Sequence, residues 1–306
     1  MLSVPTEYFT DEQKNWYVRL IIAAVLADGQ IKEAEIQFLK DGLHILPDGA
    51  NKNQLLGRIK DNDPPRLEPP PESFAPFTLV NVILDVIEII VSDVHLSANE
   101  TDFLARLAEI MNIKEETKQV IMAWSEEGIV WNGDKAKLIH GEDFQGDTME
   151  KVPLKDMAEQ AKYLYAKTLV ICVLIDAEVE AFEQRYLKYA ITLLKDKNDQ
   201  LELVRYLKNK MAPPLEGLSG FSPEVLRVIL VEVIMLLSGG NHFSASHQTF
   251  FEKLCILSGV DKEEALLFVE WHRKGLAWKS HKARIINRVQ KKGYMTIEEY
   301  RVETDT

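Results

Sequence analysis

Along the chain, apolar residues recur at helical intervals, and no alternating run of strand length stands out. Two kinds of segment take turns. One is apolar nearly all round, as in Trp16–Ala27 and Thr78–Val91, which predicts a central, buried helix. The other is amphipathic. Within Glu33–Leu46, the residues Ile36, Leu39, Leu43 and Leu46 stand at i, i+3, i+7 and i+10, one stripe of a helix. The segments pair as Trp16–Ala27 with Glu33–Leu46, Thr78–Val91 with Ala98–Met111, Tyr163–Ile175 with Ala181–Leu194, and Val225–Leu237 with Ala245–Ser258. A short polar turn joins the members of each pair. Prolines at 64–65 and 69–71 interrupt the helical pattern and force an extended connection between the first two pairs. The pattern predicts an all-α fold.

The four pairs are two copies of two. Shifted by 147 residues, Phe77–Ile139 lies over Glu224–Ile286 without a gap, with 15 identities in 63 positions. Trp124 falls on Trp271, Gly128 on Gly275, Trp131 on Trp278, and His95 on His242. At an offset of 148, Asp28 falls on Asp176, Glu35 on Glu183 and Leu39 on Leu187; the proline pair Pro64-Pro65 follows over Pro213-Pro214 at an offset of 149. Repeats of this kind predict two tandem helical-bundle domains, each an internal duplication of a helix–acidic turn–helix unit. The polar stretch from His140 to Asp156 has linker composition, which places the domains at residues 1–145 and 150–306.

At 46% hydrophobic and 27% charged residues, the chain is ordinary globular material, and each half is long enough to bury a core. The net charge of −12 divides unevenly. Residues 1–147 hold 13 Lys/Arg against 26 Asp/Glu, or −13, and residues 148–306 hold 23 against 22, or +1. That disfavours nucleic acid as a partner, at least for the acidic first half. The run Leu79–Val91 carries Asp85 and Glu88, so it predicts a buried helix and not a membrane span. A mixed polar opening, and no small-residue cleavage site after Val18–Ala27, argue against a signal peptide. Cys172 and Cys255 sit in apolar patterns with no metal-ligand spacing and read as buried thiols in a reducing cytoplasm.

The inter-helix turns are the most informative local feature. The first reads Asp28-Gly29-Gln30-Ile31-Lys32-Glu33-Ala34-Glu35, with Gly29 ending one helix, Ile31 placed to dip back to the core, and acids opening the next helix. Ser97-x-x-Glu100 is a capping-box pattern, and Ser244-x-x-His247 keeps its first member. Helix capping explains these turns; so would a divalent-cation site, with Asp28, Glu35, Asp176, Glu178, Glu180 and Glu183 as ligands. An EF-hand does not fit, because the twelfth position counted from Asp28 is Leu39. His95 and His242 are matching turn residues, read as surface hydrogen-bonders or as a paired site. The four matching tryptophans read as packing residues or as anchors for a partner. Lys279, Lys282, Arg284, Arg288, Lys291 and Lys292, interleaved with Ile285, Ile286 and Val289, form a basic amphipathic helix. That helix is either a solvated face or a docking element for the acidic first half, another acidic protein or an anionic membrane surface. No P-loop, GxGxxG, GxSxG or HExxH motif occurs.

Leu20–Leu46 resembles the signature of the TerB-like family, which comprises the tellurite-resistance proteins and the N-terminal domain of a membrane-bound DnaJ-type co-chaperone. Ala24, Asp28, Gly29, Glu35 and Leu39 carry the likeness; Leu174, Asp176, Glu183 and Leu187 carry it more loosely, with Ala177 where the turn glycine stands. The resemblance implies an all-α bundle and a non-enzymatic bacterial protein of stress or metal-ion response, cytoplasmic or peripheral at the inner membrane. It also implies acidic residues suspected of binding metal. The expected function is therefore an interaction scaffold for protein partners. A divalent-cation sensor or buffer is the alternative, and a metal-dependent hydrolase stands behind both.

Overall fold

A computed structural model describes residues 4–92, 97–141, 152–175, 181–238 and 242–304. The fold is all-α: thirteen α-helices and no strand occur among the described residues. In chain order they are α1 (Asp11–Val25), α2 (Glu33–Ile45), α3 (Ala50–Lys60), α4 (Pro76–Ile90), α5 (Ala98–Ile110), α6 (Glu115–His140), α7 (Glu159–Ile175), α8 (Ala181–Thr192), α9 (Lys197–Asn209), α10 (Pro223–Leu236), α11 (Ala245–Leu257), α12 (Lys262–Lys292) and α13 (Ile297–Thr304). The four expected helix pairs are α1/α2, α4/α5, α7/α8 and α10/α11. The shorter α3 and α9 and the full reach of α6 and α12 go beyond the periodic segments.

Side-chain caps set several of the boundaries. At α5 the Ser97 hydroxyl accepts from Glu100 N–H at 3.2 Å, and the Glu100 carboxylate accepts from Ser97 N–H at 2.7 Å. At α11 the imidazole of His247 stands in for the glutamate, its Nδ1 accepting from Ser244 N–H at 3.2 Å. Thr10 and Gln13 build the same reciprocal pair at α1. Pro76 and Pro223 open α4 and α10, where a fixed φ favours the helix and no N–H is missed.

The chain divides into two compact units. Unit 1 is Met1–Gly133 with Ala277–Thr306, and unit 2 is Asp134–Leu276. In unit 1, α1 packs on α2, α3 and α4, and α4 packs on α5. Tyr17, Val18, Ile21, Ile22 and Val25 on α1 are fully buried, as are Val82, Leu84, Val86, Ile87 and Ile89 on α4. Each large aliphatic buried in this way contributes about 1.5–3 kcal/mol by its removal from water. In unit 2 the same pattern holds: α7 packs on α8, α9 and α10, and α10 packs on α11.

The division differs from the expected 1–145 and 150–306. Each long helix starts in one unit and ends in the other. The end of α6 carries buried Ala136 and Ile139, and its His140 meets Glu224 of unit 2 at 2.8 Å. The end of α12 and the segment after it bring Trp278, Ile285, Val289, Met295 and Tyr300 into the core of unit 1. The charge asymmetry shrinks accordingly. Unit 1 holds 18 Lys/Arg against 26 Asp/Glu, or −8, and unit 2 holds 18 against 22, or −4. The basic C-terminal stretch belongs to the unit whose acids it offsets.

Candidate functional site

The first acidic turn lies between α1 and α2. Gly29 takes a positive φ of 80°, which a glycine adopts without strain. Its carbonyl accepts from the Asn62 amide at 2.8 Å, which ties the turn to the end of α3. Asp28 is engaged twice: one oxygen accepts from Gln30 N–H at 2.9 Å, and the other pairs with the Lys32 ammonium at 3.1 Å. Glu35, only 4% exposed, turns back to accept from Lys32 N–H at 2.8 Å. Burial pushes its carboxyl up from 4.5 to about 7; the negative charges of Asp28 and Glu100 add to the rise, and the Lys32 N–H and ammonium oppose it. Glu100 is buried too, inside its own capping box. The two helix pairs of unit 1 therefore bring three carboxylates within electrostatic reach of one another.

Ile31 does not dip to the core. It is 39% exposed and Ile36 is 38% exposed, because the inward place at this turn is taken by Glu35 reaching for Lys32 N–H. The turn thus exposes aliphatic side chains, while Asp28 is paired with Lys32 and its side chain is only 13% exposed. Among the described residues, no group of three or more His, Cys, Asp or Glu side chains is disposed to hold a metal ion. Asp176, Glu178 and Glu180 lie outside the described residues, as does His95, while Glu183 sits on α8 with its side chain outside the description. His242 is exposed.

A second feature was missed in the sequence. Asp85, on α4, has no exposure to solvent. It accepts from the Tyr17 hydroxyl at 2.5 Å, from Val4 N–H at 3.1 Å and from the Lys282 ammonium at 2.5 Å. Lys282 also pairs with Glu88 at 2.9 Å. Burial raises the Tyr17 phenol well above its ordinary range, with Asp85 adding to it. Burial raises Glu88 as well, against the pull of Lys282. At the repeat-equivalent positions of unit 2, the Tyr165 hydroxyl donates to Glu232 at 2.6 Å. The available signal was two acids on an otherwise apolar helix, whose burial demands a cation from elsewhere in the chain.

The basic stretch is largely satisfied within unit 1. Lys282 is buried with Asp85 and Glu88. Arg288 and Lys292 share Glu299 at 2.6 and 2.7 Å. Their hydrogen bonds, led by that of Lys292 and joined by Thr296 N–H, hold the Glu299 carboxyl down at about 2. Arg284 donates to the Ser280 hydroxyl at 3.2 Å. Lys279 and Lys291 are exposed.

The tryptophans pack. Trp124 and Trp278 stack with centroids 4.5 Å apart and planes 10° off parallel. Each indole N–H donates to the other residue's carbonyl, at 3.0 and 2.8 Å. Gly128 makes room, since a Cβ there would stand 2.6 Å from the Trp278 ring. Trp271 is buried and Trp131 half-buried, the latter 5.5 Å from Trp278. Cys172 and Cys255 are buried thiols, and burial, with Glu264 and Glu252 adding, pushes Cys255 up to about 12.

No family model, curated protein or solved structure matches this chain.

Proposed function

We propose that this chain is a non-enzymatic interaction scaffold of the TerB-like type, serving bacterial stress or metal-ion response from the cytoplasm or the face of the inner membrane. The observation that carries the proposal is the surface of the first turn. Ile31 in the turn and Ile36 near the start of α2 are 39% and 38% exposed, and Asn62 anchors the turn through the Gly29 carbonyl. Exposed aliphatics suit a protein partner that brings its own apolar residues. Among the described residues, no helix is long and apolar enough to cross a membrane. Exposed Lys279 and Lys291 are the part of the basic stretch left to meet an anionic surface.

The test uses the Ile31→Ser/Ile36→Ser variant of the full chain, with quantitative mass spectrometry of proteins co-purified from native extract. Exposed positions change stability by about 0.5 kcal/mol or less, so the melting temperature should hold while a specific set of partners drops out. Retention of the same partners by the variant would contradict the proposal.

A divalent-cation sensor or buffer is the second reading. Its support is Glu35, buried beside Asp28, where the negative charges of Asp28 and Glu100 add to the rise of its carboxyl to about 7, an effect a cation would relieve; the three carboxylates are not disposed to share one ion.

A further inference from the structure

The two units contain one contact seen twice. In the repeat register, Glu127 on α6 corresponds to Lys274 on α12, and Asp134 on α6 corresponds to His281 on α12. In unit 1, a Glu127 oxygen meets Nδ1 of His281 at 3.1 Å, and the other oxygen accepts from the Tyr300 hydroxyl at 2.8 Å. In unit 2, the Lys274 ammonium meets Asp134 at 3.0 Å. The first register position meets the second in both cases. The charges, however, are inverted between the copies: the first half of the chain contributes acid at both positions, and the second half contributes a base at both.

We propose that this inversion makes the pairing of the long helices heterotypic, so that α6 accepts the C-terminal half of this chain and rejects a second copy of itself. The discrimination rests on matched and mismatched pairs. Two first-half helices in the same geometry would set Glu127 against Asp134, twice. Two second-half helices would set Lys274 against His281, twice. Only the mixed pairing sets acid against base at both contacts. The tryptophans and their glycine cannot discriminate, because Trp124/Trp271, Gly128/Gly275 and Trp131/Trp278 are identical in the two halves. These four ionisable side chains contribute to the choice. The contact in unit 1 carries more of it, since His281 is only 9% exposed and Glu127 40%, whereas Lys274 is 63% exposed and Asp134 30%.

The test is a charge-exchange cycle in the full chain. Lys274→Glu/His281→Asp makes all four positions acidic, and Glu127→Lys/Asp134→His makes all four basic. Combining the four substitutions restores opposite charges with the polarity reversed. Melting temperature and yield of folded protein are compared at low and moderate salt. Each double variant should melt several degrees below the parent, less so with added salt, and the fourfold variant should regain at least half of the combined loss. If the double variants do not fold, recovery of folded protein in the fourfold variant decides in the same direction. Additive losses in the fourfold variant, or double variants that melt with the parent, would overturn the proposal.

Discussion

Glu35 does two things at once: it caps α2 through Lys32 N–H, and it does so from a buried position with Asp28 and Glu100 nearby. Its carboxyl titrates near 7 in the folded protein against 4.5 ordinarily, so its protonated form is the one folding favours. Its contribution to stability is full below pH 4.5 and is lost as pH rises through about 7. A difference of one pH unit between the folded and unfolded titration points is worth about 1.36 kcal/mol, so the loss is on the order of 3 kcal/mol. Glu35→Gln keeps an acceptor for Lys32 N–H and cannot ionise. Urea unfolding at pH 5 and pH 8 should therefore show the variant gaining on the parent at the higher pH; parallel behaviour at both would contradict this. Lys282 is a second buried charged group of the same unit. Lys282→Met removes the cation shared by Asp85 and Glu88 and should cost about 3–5 kcal/mol, because it leaves buried carboxylate charge uncompensated. Denaturant unfolding that finds a cost under about 1 kcal/mol would sink this assignment. Neither effect was legible in the sequence. Asp85 and Lys282 are 197 residues apart, and the inward turn of Glu35 hides behind a pattern in which Ile31 looks like the core residue.

At the scale of elements, the helix pairs were legible because their apolar spacing and their caps agree. Ser97-x-x-Glu100 and Ser244-x-x-His247 sit where α5 and α11 begin, and both close as reciprocal boxes. Ser97→Ala and Ser244→Ala should each cost about 1 kcal/mol in denaturant unfolding; no change in either would mean that the caps are ornamental. The long helices were less legible. From Glu115 to His140 the pattern mixes apolar and charged residues because the face that must be buried changes along the helix, core of unit 1 first and core of unit 2 after Gly133. The basic residues of α12 read as a free docking face because their partners, Asp85, Glu88 and Glu299, cannot be assigned by spacing alone.

For the whole molecule, the repeat read in the sequence determines neither where one compact unit stops nor which half supplies its last helix. The contrast between an acidic first half and a neutral second half follows from cutting the chain at the linker. Cut where the packing divides it, both units are acidic, at −8 and −4. The central claim is that the segment Asp28–Ile36, with Ile31 and Ile36 exposed, serves a protein partner and not a metal ion. The most direct test is calorimetric titration of the full chain with calcium, magnesium, manganese and zinc, beside an Asp28→Asn/Glu35→Gln variant. The scaffold account predicts no micromolar binding to either protein, with Asp28 and Glu35 acting as turn and cap. Micromolar binding to the parent that is lost in the variant would contradict it and make the turn a cation site.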